Sequence, residues 1–249
     1  MAAQSTDSTP IDQSDVLIHY RKLCNQYNII LIIGSLHILD IDTNKLCNRQ
    51  YILSPDHTSQ LANITATYDK IHMFDVQISD SEQYNESARF ISGQQSPVVY
   101  TPHGNIGLTI CYDIRFPSLY RELAQCNAHI ITVPAAFTVH TGKLHWHTLL
   151  RARAIECGCY IIAAAQCGTH NNTRFTYGHS LIIAPDGSIL NENTSDDISY
   201  IYSDIDISNV IKQRQLIPAW NQQQSFTVAT INAPPQSTPF KMSDCPPKV

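Results

Sequence analysis

The sequence predicts a layered α/β domain. Three observations carry that expectation. Short continuous runs of β-branched and aliphatic residues read as strands buried on both faces. Segments with apolar residues at helical spacing fall between them. Pro, Gly, Asn and Asp punctuate the joints. The 249 residues, 43% of them hydrophobic, suffice for one large core.

Residues 1–14, rich in Ser, Thr, Asp and Gln, read as a disordered N-terminus, and residues 15–226 as the folded domain. Leu17 to Tyr27 has the spacing of a short amphipathic helix. Ile29 to Ile33, ending at Gly34, reads as a strand buried on both faces. His37 to Ile41 and Cys47 to Leu53 follow as strands joined by a turn at Asp42-Thr43-Asn44. Ile64 to Tyr68 is a further strand that delivers Lys70 to its end, and Val76 to Gly93 reads as a polar, irregular loop.

Val98 to Tyr100 and Ile106 to Ile110 read as strands, and a helix opens at Pro117. His129 to Pro134 is a buried strand, Trp146 to Glu156 a helix, and Tyr160 to Ala165 a strand. Ser180 to Ala184 turns through Pro185-Asp186-Gly187 into Ile189-Leu190, and Ser199 to Asp206 alternates like a last strand. Residues 227–249, with Pro234-Pro235 and Pro246-Pro247, read as a flexible tail.

A net charge of −5 without a long basic run argues against nucleic acid or a membrane surface as partner. No apolar run approaches the roughly 20 residues that span a bilayer, and the polar start is not a secretory signal. A cytoplasmic protein is the expectation, with mitochondria open to a form with a longer N-terminus. Eight cysteines then read as reduced thiols: Cys157-Gly158-Cys159 lacks zinc-finger spacing, and no metal or cofactor is expected.

Chemistry concentrates in Gly107-Leu-Thr-Ile-Cys-Tyr-Asp-Ile-Arg-Phe-Pro117. Cys111 falls on the step from strand to helix, where the helix dipole would favour a thiolate. The residues alone leave two readings open, a nucleophile or an inert core thiol.

That stretch resembles the nucleophile elbow of the nitrilase (carbon-nitrogen hydrolase) superfamily. Tyr68-Asp69-Lys70-Ile71-His72-Met73-Phe74-Asp75, His145-Trp146 leading into Arg151-Ala152-Arg153-Ala154-Ile155-Glu156, and Tyr177-Gly178-His179-Ser180 agree in order and spacing. The resemblance covers roughly residues 17–226. Ala163-Ala164-Ala165-Gln166-Cys167-Gly168 points within it to the deaminated-glutathione amidase branch, with the omega-amidase branch as alternative.

The resemblance implies an α-β-β-α sandwich that pairs into homodimers or larger homo-oligomers. It implies a small amide as substrate, cleaved to carboxylate and ammonia through a thioester. Cys111 matches the nucleophile, Lys70 the lysine facing the oxyanion beside the Tyr112 N–H, and Glu86 the second glutamate. Phe137 and Thr138 match substrate-lining positions. Asp113 and Arg115 are expected to pair and fix the elbow, and Arg153 to pair with Glu156. His145 and Trp146 are expected to brace the pocket wall or dimer interface, and the remaining histidines to serve packing or surface.

Two departures stand out. Asp69 occupies a position where the family usually has Arg. The family's first glutamate, its general base, belongs upstream of every motif matched here, and this chain has no glutamate before Glu82. The expectation is therefore either a sandwich lacking its first strand-helix-strand unit, with an open sheet edge and exposed apolar surface, or an incomplete gene model or alternative start of a longer protein. A non-catalytic dimerising relative, or a thiol-reactive sensor, are the competing classes.

Overall fold

The computed structural model describes residues 14–79, 82–170, 174–195 and 197–231. The expected disordered segment 1–14 and tail 227–249 lie mostly outside these. Helix α1 (Asp15–Tyr27) opens where the Ser14 side chain accepts the Leu17 N–H at 3.2 Å. Asn28 ends it in a left-handed conformation, φ 50°.

Strands β1 (Leu31–Asp40), β2 (Lys45–Ser54) and β3 (Asn63–Asp69) form an antiparallel sheet in that order. The two runs expected on either side of Gly34 are one strand, because the chain passes Gly34 as an irregularity between Ile33 and Leu36 rather than as a turn. The run is only partly buried, because β1 is an edge strand. Residues 76–93, expected to be irregular, contain a hairpin of β4 (Asp75–Ser79) and β5 (Glu82–Asn85). Polar composition masked it, since pairing rather than apolar alternation holds these strands.

The larger sheet contains β6 (Val98–Val99), β7 (Ile106–Leu108), β8 (Ile130–Thr132), β9 (Tyr160–Ala163), β12 (Leu181–Ile183) and β13 (Ile189–Glu192). Its order is β13-β12-β9-β8-β7-β6, with β7, β8 and β9 parallel. Helices α2 (Pro117–Gln125) and α3 (Val139–Cys157) make the two crossovers between those parallel strands. A separate hairpin, β10 (Cys167–Thr169) with β11 (Phe175–Tyr177), follows β9.

Alternation along the strands sorts side chains into three cores. Ile131 and Ile161 point to α2 and α3, joining Leu123, Trp146 and Leu150. Ile130, Tyr160 and Leu108 point the other way and meet Ile52 and Tyr68 of the smaller sheet. On that sheet's far face, Tyr51 and Leu53 pack with Leu17 and Cys24 of α1. The layers are therefore α1, three strands, six strands, then α2 with α3: the α-β-β-α sandwich. Gln50 spans the two sheets, its Nε2 donating to Thr132 Oγ1 at 2.9 Å.

At the β6 edge a groove of about 430 Å³ opens between β6 and α2, lined by Val98, Tyr100, Leu119 and Leu123 among others. Residues 199–206, expected as a last strand, form no ladder; Ile198, Tyr200 and Tyr202 are exposed. Alternation alone does not make a strand, which needs a partner. All seven cysteines among the described residues are free thiols, four of them buried. No helix among the described residues is long and apolar enough to cross a membrane.

The sequence reading also lacked helix α4 (Ser208–Leu216). Its Arg214 is buried and donates from Nε to Cys157 O at 3.1 Å and from Nη2 to Ala128 O at 2.7 Å, with Trp220 stacked over the guanidinium. Gly158 caps α3 at φ 55°, and a Cβ there would meet Arg214 Cγ at 2.9 Å. Arg214→Met leaves two buried carbonyls unpaired, so the urea midpoint should fall by the equivalent of about 2–4 kcal/mol at unchanged slope.

Candidate active site

Strand β7 ends at Leu108, and Cys111–Arg115 then form a 3-10 turn before α2 begins at Pro117. Cys111 takes φ 50°, a conformation few non-glycine residues adopt without a functional reason. Its N–H donates to Pro134 O at 2.9 Å, tying the turn to the end of β8. The interposed turn corrects one expectation: the α-helical N-terminus lies six residues beyond Cys111, too far for its dipole to govern the thiol.

Lys70 follows β3, as its motif suggested. Its N–H donates to Asn48 O and its carbonyl accepts from the Gly93 N–H, both at 2.9 Å. Only glycine fits at 93, because a Cβ would lie 2.1 Å from Asp69 O. The ammonium is almost fully buried and lies 2.5 Å from Glu86 Oε2, which also accepts the Phe74 N–H at 2.6 Å. The β4–β5 hairpin carries Glu86 into that position.

Both charges act on Cys111. Burial pushes the thiol up from its ordinary value, while the Lys70 ammonium and a hydrogen bond from the Ala136 backbone pull it down; Glu86 and Asp113 push it up again. Burial wins. Lys70 and Glu86 are thus both within electrostatic reach of Cys111.

What joins them is Asp113, fully buried. Its carboxylate accepts from Tyr68 OH at 2.6 Å, Ile110 N–H at 2.9 Å and His72 N–H at 3.0 Å, and contacts His72 Nδ1 at 2.8 Å. His72 also stacks on Phe116, centroids 3.5 Å apart. Tyr68 is pushed far up by burial and by that carboxylate, so it remains a donor. Tyr68 and His72 were missed as site residues. The signal was their placement two residues either side of Lys70.

The expected Asp113–Arg115 pair does not form. Asp113 spends its acceptors on the strand-end segment, and Arg115 turns away, 3.4 Å from His145 Nδ1 and over the rings of Tyr112 and Phe137. Arg153 does pair with Glu156, at 2.7 Å, and donates to Ile114 O at 2.9 Å, bracing the elbow. Asp69, the departure from the family pattern, is met by Arg49 across the β2–β3 ladder in a two-pronged contact at 2.6 Å.

Tyr112 is half-buried, its ring edge-on to Phe74 and Phe116. Phe137 is buried against Trp146, and Thr138 is buried as the cap of α3, its hydroxyl meeting Thr141. Trp146 is fully buried, and its Nε1 donates to His179 O at 2.8 Å. His145 sits beside Arg115 and does not share that buried role.

An α-β-β-α sandwich that carries a left-handed cysteine on a strand-to-turn step and a buried lysine–glutamate pair is the class of protein the sequence motifs pointed to, a carbon-nitrogen hydrolase. Residues 3–215 match that domain, and the chain belongs to the carbon-nitrogen hydrolase family.

Similar proteins include the deaminated glutathione amidases of Rattus norvegicus and Dictyostelium discoideum. The first is 39% identical over 87% of this chain and 65% of its own length; the second is 40% identical over 86% and 73%. The crystal structure of the C. elegans NitFhit protein superposes with TM-score 0.77 at 36% identity, over 86% of this chain and 51% of that one. The chain thus spans between half and three quarters of the length of these relatives.

Three outcomes test the site. Because burial raises the thiol, alkylation of Cys111 by iodoacetamide should rise with pH through a midpoint above that of an ordinary thiol, about 8.5. Lys70→Met removes the main charge favouring the thiolate, so the midpoint moves higher still and the neutral-pH rate falls. Tyr68→Phe strips one donor from a buried carboxylate and should lower stability by about 1.5–3 kcal/mol in chemical denaturation.

Proposed function

We propose that this chain is a cysteine-dependent amidase of the deaminated-glutathione type. What supports the reading is the left-handed turn at Cys111 together with the buried Lys70–Glu86 pair, both charges of which act on the thiol. In this mechanism the Cys111 thiolate attacks the amide carbonyl, and the developing oxyanion meets the Lys70 ammonium and the Tyr112 N–H. A donor of this kind is typically worth about 3 kcal/mol. Collapse of the tetrahedral intermediate expels ammonia and leaves a thioester, which water hydrolyses to the carboxylate and free thiol. Glu86 holds the ammonium in place, and Phe137 and Thr138 shape the wall beyond the thiol. Two copies pair through the outer helical layer.

The elevated thiol makes a proton acceptor necessary in the first step. Glu86 Oε2 is already committed to Lys70 and the Phe74 N–H. That observation favours a second reading, a non-catalytic relative that dimerises or binds.

Purified protein incubated with deaminated glutathione should release ammonia above a Cys111→Ala control, and more than it does from α-ketoglutaramate. Greater release from α-ketoglutaramate would favour the omega-amidase alternative. No Cys111-dependent release from either would overturn the amidase reading for this chain.

A further inference from the structure

A second cluster of chemistry lies away from Cys111. His147 stands in α3, His179 in the turn between β11 and β12, and Glu192 at the end of β13. His147 Nε2 lies 2.8 Å and His179 Nδ1 2.7 Å from the same carboxylate oxygen, Glu192 Oε1. All three donor atoms fall within 4.8 Å of one another. The side chains are 31%, 24% and 20% exposed, open enough for an ion to enter and enclosed enough to be held.

We propose that His147, His179 and Glu192 bind a divalent transition-metal cation of the zinc or cobalt type. Two imidazoles and one carboxylate are a donor set suited to such ions, leaving one or more positions for water. The rings are aimed rather than loose. His179 holds a left-handed backbone, φ 56°; its carbonyl is fixed by Trp146 Nε1, and its ring stacks on Tyr177 at 4.2 Å. His147 meets the edges of both neighbouring rings.

Without an ion, both ring N–H groups donate to Oε1. To ligate, each neutral imidazole moves its proton to the other ring nitrogen, with no change in charge. Bonds of about 2.0–2.2 Å place tetrahedral ligand atoms about 3.3 Å apart, so each imidazole nitrogen moves about half an ångström away from Glu192 Oε1. Half-exposed side chains can make that shift. The ion would then staple α3 to the β12–β13 side of the larger sheet. The site shares no residue with the Lys70–Cys111 apparatus.

Cobalt(II) distinguishes this site from the cysteines, since thiolate ligation adds a near-ultraviolet charge-transfer band. Titrating the full chain with Co²⁺ should give visible ligand-field absorption saturating at one ion per chain, without that band, and Zn²⁺ should displace it. His147→Gln and His179→Gln should each weaken binding by more than the roughly 10- to 100-fold that loss of a ligand's hydrogen-bonding partner costs. Glu192→Gln keeps an acceptor for both rings and so the fold, but should lose the rise in Tm that Zn²⁺ gives the unaltered chain. Absence of the absorption, a band of thiolate type only, or a Zn²⁺ effect that survives Glu192→Gln would overturn the proposal and leave a hydrogen-bonded clamp.

Discussion

The buried carboxylate of Asp113 is the constraint on which the rest of the site depends. A charge out of contact with water must have its lone pairs met, and here the donors come from two separate segments. Tyr68 and His72 stand two residues before and two after Lys70, and the Ile110 N–H immediately precedes Cys111. One carboxylate thus fixes the strand end that carries the ammonium against the turn that carries the sulfur. Neither could drift without leaving Asp113 unpaired, a loss of several kcal/mol in a buried setting.

Around that clasp the fold arranges a conflict of fields. Burial disfavours the thiolate, and both Glu86 and Asp113 disfavour it further, while Lys70 and the Ala136 backbone favour it. Glu86 has two effects: it neutralises part of the lysine's influence on the sulfur and it fixes where the ammonium points. Orientation toward a developing oxyanion gains more from a fixed donor than from a freely moving one, because no reorganisation remains to be done during reaction.

Packing carries this arrangement outward. Arg153 reaches from α3 to Ile114 O, Cys111 bonds to the end of β8, and α3 is capped beside Arg214. The elbow is therefore held from the helix layer, from the neighbouring strand and from the second sheet. The charge of Asp69 is absorbed locally, because Arg49 stands directly opposite across the ladder.

Local pattern determined much of this protein. Continuous apolar runs marked β8, β9 and β12, helical spacing marked α1, α2 and α3, and the motif around Cys111 marked the elbow, because burial on one or both faces leaves a period in the chain. Where long-range pairing decides, that period is silent. The polar β4–β5 hairpin exists through its own ladder, while the alternating segment 199–206 has no ladder among the described residues and is not a strand. Arg115 lies two residues from Asp113, yet only the tertiary structure shows the carboxylate turned toward Tyr68 and His72, 45 and 41 residues away. A buried charge takes whichever donors the packing of two sheets brings to it, and no spacing along one segment records that choice.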